Sequence, residues 1–344
     1  MSRFVIGSRA ALIAALRAQV AERGGAAASA AAAALAEEAR ALAEELFLDA
    51  LFLVAQFPGG QIAEADKCCY AYDVRACAGL CRATWAEEAF WSGLVRVWHP
   101  GENKRTRLMY AAWRGDTARV AWLLARGAPR NVKNNSGWTA LFYSSSCGHT
   151  NAVRTLLAAG ANVDAATNDN TTPLYVAAQN GRTDDLRALL AAGANVDAAT
   201  NDGCTPLWIA AQKGSTNIVR ALLAAGANVN TVQNQNQGAT PLYVAARRGH
   251  AHAVHALLSA AADLEAANND GTTPLFVAAQ KGHTDTVRTL VVAGANVEAA
   301  RNDGARPLHT ASRHDYAAAA TLLLDAGADV NALTNRGRSP LARA

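Results

Sequence analysis

The chain has 344 residues, of which 51% are hydrophobic and 17% charged, with a formal net charge of +4. That balance excludes a disordered tail, and no stretch reaches the roughly 20 apolar residues that a bilayer span requires. Residues 1–100 carry 9 basic and 11 acidic side chains (net −2) and residues 101–344 carry 23 and 17 (net +6), a density too low for a nucleic-acid footprint, so no nucleic acid is expected as partner.

Residues 1–28 form an alanine-rich N-terminal segment with Arg3, Arg9 and Arg17 and no acid before Glu22. That pattern fits a transit peptide and equally an ordinary alanine-rich helix. Residues 29–100 read as a small helical domain. Ser29 to Gln56 suits one long amphipathic helix, with Leu35, Leu42, Leu46 and Leu53 a turn or two apart, and Pro58-Gly59-Gly60 stops it. Shorter helices are expected near 62–71, 74–83 and 86–97, and His99-Pro100-Gly101 breaks the chain. Within this domain LCRATWAEEAFWSGLVRVW, Leu80 to Trp98, together with LFLDALFLVAQF at 46–57, resembles an F-box. The usual leucine-proline start is absent and the intervening segment is longer. The resemblance implies docking to the adaptor subunit of a cullin-type ubiquitin ligase. The alternative is plain core packing by Trp85, Phe90, Trp91 and Trp98.

From residue 101 to 344 the chain repeats. LLAAGANVDAATND occurs at Leu156 and again at Leu189, and its first eight residues return at Leu222. A leucine marks the register at Leu108, Leu141, Leu174, Leu207, Leu242, Leu275, Leu308 and Leu341, spaced by 33 residues except for one step of 35. A fixed period of this kind signals a stack of units that bury their apolar faces only against one another. In Asp270 to Asn302, Asp270-Gly271 suits a turn. Thr273 suits an N-cap and Pro274 the first helical position. Ala278-Ala279 allow close helix approach. Gly282 ends the first helix in the left-handed region, Asp285 favours the start of the second, and Val287, Leu290 and Val291 form its buried stripe.

The local sequences TRLM, TALF, TPLY, TPLW, TPLY, TPLF, RPLH and SPLA, followed by paired alanines, Gly-His and a later LLAAGANV, resemble the ankyrin repeat. The match covers about 103–344, with seven units and a stub that stops one turn into its first helix, so an incomplete C-terminal cap is expected. The expected fold is an all-α solenoid with hairpin-like finger loops. Departures locate local weakness. Asn170 replaces a finger glycine, and Ala140 and Ser144-Ser145 replace proline and the paired alanines of the second repeat. Ala261 stands where six other repeats have glycine, and two residues are inserted around Gln233–Gln237. A weak seam is expected between repeats four and five.

Partners of ankyrin repeats dock on the finger tips and the exposed side of the inner helices. Carried over, the resemblance implies a protein partner at tips formed by Trp138, Asp169, Thr171, Asp202, Cys204, Asp270, Thr272 and Asp303. It also implies a palm formed by Trp113-Arg114, Gln179-Asn180, Gln212-Lys213, Arg247-Arg248, Gln280-Lys281 and Arg313-His314. A second row, Arg154, Arg187, Arg220, His255 and Arg288, recurs on the outer helices, where a solvated face is the commoner meaning.

Catalytic and metal motifs are missing: no glycine-rich phosphate loop, no G-x-S-x-G, no H-E-x-x-H. Cys68, Cys69, Cys77 and Cys81 have helical rather than zinc-site spacing. With Cys147 and Cys204 they suit reduced thiols in a cytoplasmic protein. His149, His250 and His283 occupy the structural Gly-His position, and the aromatic row Phe142, Tyr175, Trp208, Tyr243 and Phe276 suits packing between repeats. The expectation is a monomeric, non-catalytic scaffold without metal or cofactor.

Overall fold

The computed structural model describes residues 104–233 and 238–341. The expectations for residues 1–100, including the long helix, the F-box-like segment and the four-cysteine cluster, lie outside the described residues. Within them the chain forms fourteen helices in seven pairs. The inner helices are α1 (Arg107–Arg114), α3 (Ala140–Cys147), α5 (Pro173–Gln179), α7 (Pro206–Lys213), α9 (Pro241–Arg248), α11 (Pro274–Lys281) and α13 (Pro307–Arg313). The outer helices alternate with them: α2 (Thr117–Ala125), α4 (Thr150–Ala158), α6 (Thr183–Ala191), α8 (Thr216–Ala224), α10 (Ala251–Ser259), α12 (Thr284–Val292) and α14 (Ala317–Asp325).

The same chemistry starts the first six inner helices. Thr106, Thr139, Thr172, Thr205, Thr240 and Thr273 take extended backbone angles, and each hydroxyl accepts the N–H three residues on at 3.2 Å. Such a cap contributes about 1 kcal/mol. Proline stands at the first helical position of the last five inner helices, where its missing N–H costs nothing. The α13 cap differs: Arg306 offers no hydroxyl, and its own N–H donates to His309 Nδ1 at 3.3 Å.

One core runs the length of the stack between the two helix layers. Leu174, Leu207 and Leu222 are fully buried, as are the paired alanines such as Ala210-Ala211 and Ala278-Ala279. Alanine here lets neighbouring inner helices approach closely, and each fully buried leucine contributes about 1.5–3 kcal/mol. The aromatic row is buried as expected, with Phe276 2% exposed.

Four substitutions mark local cost. Asn170 at φ 61 and Ala261 at φ 58 adopt the left-handed conformation their positions demand, and Asp315 at φ 59 stands where other inner helices end in glycine. In the second repeat α3 forms intact. Its Ser144 Oγ donates to the Leu141 carbonyl at 3.0 Å, but the buried Ser145 Oγ makes no hydrogen bond. The expected weak helix is therefore a whole helix with one orphaned hydroxyl.

The expected weak seam between repeats four and five is bridged. Trp208 Nε1–H donates to the Ala239 carbonyl at 3.2 Å, Gln233 Nε2 to the Asp202 carbonyl at 3.1 Å, and the Asp263 N–H to Asn230 Oδ1 at 2.9 Å. Among the described residues α7 and α9 pack against each other as the neighbouring inner helices do.

Candidate functional site

The fully described fingers are tight turns rather than strand pairs. Backbone bonds from Thr167 to Thr171, Thr200 to Cys204 and Asn268 to Thr272, each 3.0 Å, close the turns. Among the described residues the fingers contain no strand, and Gln233 and Ala239 form an isolated bridge. The turn geometry splits the expected tip residues into two groups. Asp169, Asp202, Asp270 and Asp303 stand exposed at the apex. Trp138, Thr171, Cys204 and Thr272 immediately precede the N-cap threonine, where the chain turns back toward the helices. Cys204 and Thr272 are therefore buried, 8% and 6% exposed, which corrects their assignment as contact residues. Their N–H groups donate to Thr200 Oγ1 and Asn268 Oδ1, and burial pushes the Cys204 thiol pKa up. Thr171 is half-buried. Trp138 is too, wedged against the Phe142 and Tyr143 rings at 4.9 and 5.2 Å.

The palm positions are mostly exposed. Trp113 is 45% exposed beside the Tyr110 ring, and Arg114 lies over that ring at 5.8 Å. Gln179, Asn180, Lys213, Arg247, Arg248, Lys281, Arg313 and His314 are exposed, while Gln212 and Gln280 are half-buried. Asn180 is partly committed to the stack, since its Nδ2 donates to the Ser146 carbonyl and hydroxyl at 3.0 and 3.1 Å. The outer row Arg154, Arg187, Arg220, His255 and Arg288 is exposed throughout.

The histidines are structural. Nε2 of His149, His250 and His283 bonds the carbonyls of Trp113, Gln212 and Arg247 in the preceding repeat at 2.9, 3.1 and 3.1 Å. Each ring lies against the glycine that ends the preceding inner helix. A Cβ on Gly249 would stand 2.6 Å from His283 Nδ1. Arg182 and Tyr316 fill the same place behind Gly148 and Gly282.

A second interlock joins the repeats through their loops. Side-chain oxygens of Asn131, Asp164, Asp197, Asn230, Glu265 and Glu298 each accept a backbone N–H from the next repeat, at 2.8 to 3.0 Å. The sequence carries one signal of it: all six positions in this register hold an amide or carboxylate oxygen. These side chains are thus joints between repeats.

Two titrating groups stand out. Burial raises the Asp185 carboxyl pKa although Thr150 Oγ1 donates to its Oδ1 at 2.5 Å, and its Oδ2 makes no hydrogen bond. The Arg301 guanidinium beside Asp303 holds that carboxyl down at about 2. Cys147 and Cys204 are free thiols, and burial pushes both upward in pKa, against a role as nucleophiles. Among the described residues no cluster of His, Cys, Asp and Glu could hold a metal ion, and no helix is long and apolar enough to cross a membrane.

Paired helices joined by capped fingers and repeated every 33 residues define a repeat-stacking interaction domain. The family described as "Ankyrin repeats (3 copies)" matches over residues 108–200, 197–268 and 261–334; the chain belongs to the ankyrin repeat family. It is similar to the crystal structure of the human ASB11 ankyrin repeat domain, at 26% identity and a TM-score of 0.58, covering 65% of this chain and 99% of that one. No curated protein matches the chain.

Proposed function

We propose that the chain is a non-catalytic scaffold, monomeric and cytoplasmic, that holds a protein partner along its palm and the apical acids of its fingers. The observation that carries this reading is the row Lys213, Arg248 and Lys281. Successive repeats present these exposed cations from the same position at the end of α7, α9 and α11. Solenoids use such repeated faces as extended binding surfaces. A photo-crosslinking residue at position 213 of the full chain should trap a protein partner in cells, while one at Arg220 on the outer row should not. Trapping from 220 alone would overturn the assignment of the face.

The motif at Leu80–Trp98 supports a second role, substrate adaptor of a cullin-type ubiquitin ligase. Co-purification of that ligase's adaptor subunit with the full chain, lost when 46–98 is deleted, is the expected result; retention after deletion would remove this role.

A further inference from the structure

The palm of repeats four to seven differs in charge from that of repeats two and three. Lys213, Arg247, Arg248, Lys281 and Arg313 are exposed in the last turns of α7, α9, α11 and α13, and among the described residues none of them takes part in an ion pair. The sequences of these four helices, PLWIAAQK, PLYVAARR, PLFVAAQK and PLHTASR, hold no acid. Cations at a helix C-terminus favour the helix dipole, but that benefit is open to every inner helix. Yet α3 ends in Ser146-Cys147 and α5 in Gln179, without a cation. The dipole also gives no reason for two adjacent arginines on α9. Neighbouring rows lie about 10 Å apart, the spacing of packed helices, close to the screening length of about 8 Å at physiological salt. The fold therefore carries a row of like charges with no counterion among the described residues, and an anion placed between two rows would meet both.

We infer that this half of the palm binds an extended acidic segment of the partner protein, an inference that rests on the scaffold reading. In a polyproline II segment, with three residues per turn and about 3.1 Å per residue, a carboxylate at every third residue returns to the same face about every 9 Å and meets one repeat each. The exposed acids Asp202, Asp270 and Asp303 line the finger side of the same helices. Asp202 and Asp270 repel such a segment from the tips and leave the apical acids to other parts of the partner, while Asp303 is paired with Arg301.

The test is fluorescence anisotropy of a dye-labelled peptide of about twelve residues, with Glu at every third position and Ser elsewhere, titrated with the full chain. Lys213→Gln/Arg248→Gln/Lys281→Gln should weaken binding at least tenfold. Arg154→Gln/Arg187→Gln/Arg220→Gln, an equal loss of charge on the outer row, should leave it unchanged. Raising salt from about 0.05 M to about 0.5 M should abolish it. Circular dichroism of both triple variants reports that each remains folded. Equal weakening by the two triple variants would overturn the inference, as would equal binding of a peptide with Lys in place of Glu. If the peptide fails to bind while crosslinking from position 213 still traps a protein, the acidic occupant is wrong and the scaffold reading stands.

Discussion

Replacing Gly249 by alanine tests how one repeat is locked to the next. Two costs add. Gly249 ends α9 at φ 78, and an alanine held in the left-handed region costs about 1 kcal/mol. The new Cβ would also lie 2.6 Å from His283 Nδ1, so the imidazole must swing away and give up its 3.1 Å bond to the Arg247 carbonyl, a further 1 kcal/mol or so. The sum is about 2 kcal/mol. Gly294→Ala is the comparator: its φ is 90, but nothing lies within 4 Å of its Cβ, so only the backbone cost of about 1 kcal/mol applies. In a His283→Ala background, Gly249→Ala should likewise fall back to about 1 kcal/mol. Urea unfolding of the full chain, with amide exchange read on α9 to α12, gives all of these numbers, and the exchange separates local from global opening because repeat arrays do not always unfold as one unit. Equal effects of Gly249→Ala and Gly294→Ala, or no change on removing His283, would refute the interlock.

Other substitutions isolate other terms. Ala261→Gly relieves the strain of an alanine at φ 58 and should stabilise by about 1 kcal/mol in the same urea assay. Ser145→Ala removes a buried hydroxyl that makes no hydrogen bond and should raise the midpoint by the equivalent of about 1 kcal/mol, whereas Ser144→Ala, which gives up a bond to Leu141, should be near neutral. Asp185→Asn has a pH signature. Burial raises the native carboxyl pKa despite Thr150, Arg182 and His149, while Asp184 adds to the rise. The folded state thus holds this proton more tightly than the unfolded chain, and stability drops as pH rises from about 3.9 through the native value. The variant should be the more stable protein at neutral pH, and its advantage should shrink as thermal melts are repeated toward about pH 4; an advantage constant with pH would assign the effect to packing.

The period, the helix pairs, the caps and the left-handed positions were all legible along the chain, because each depends on neighbours within a few residues. Thr273 caps the helix that Pro274 begins, and Asn170 or Ala261 betrays a left-handed site by standing where glycine recurs. The buried aromatic row followed from the same register. The surface was less legible. Thr171, Cys204 and Thr272 sit beside the apical acids in sequence, yet the turn back into the helix layer buries Cys204 and Thr272 and half-buries Thr171. Likewise nothing local to Asp164 or Glu298 shows that the next repeat brings a backbone N–H within 3.0 Å of the carboxylate. Sequence by itself determined the unit and its stacking, since a 33-residue period leaves each apolar face only its neighbour to bury it. Tertiary structure alone decided which polar groups join repeats and which remain free to meet a partner, because that choice depends on atoms 31 to 38 residues apart being brought within hydrogen-bond reach.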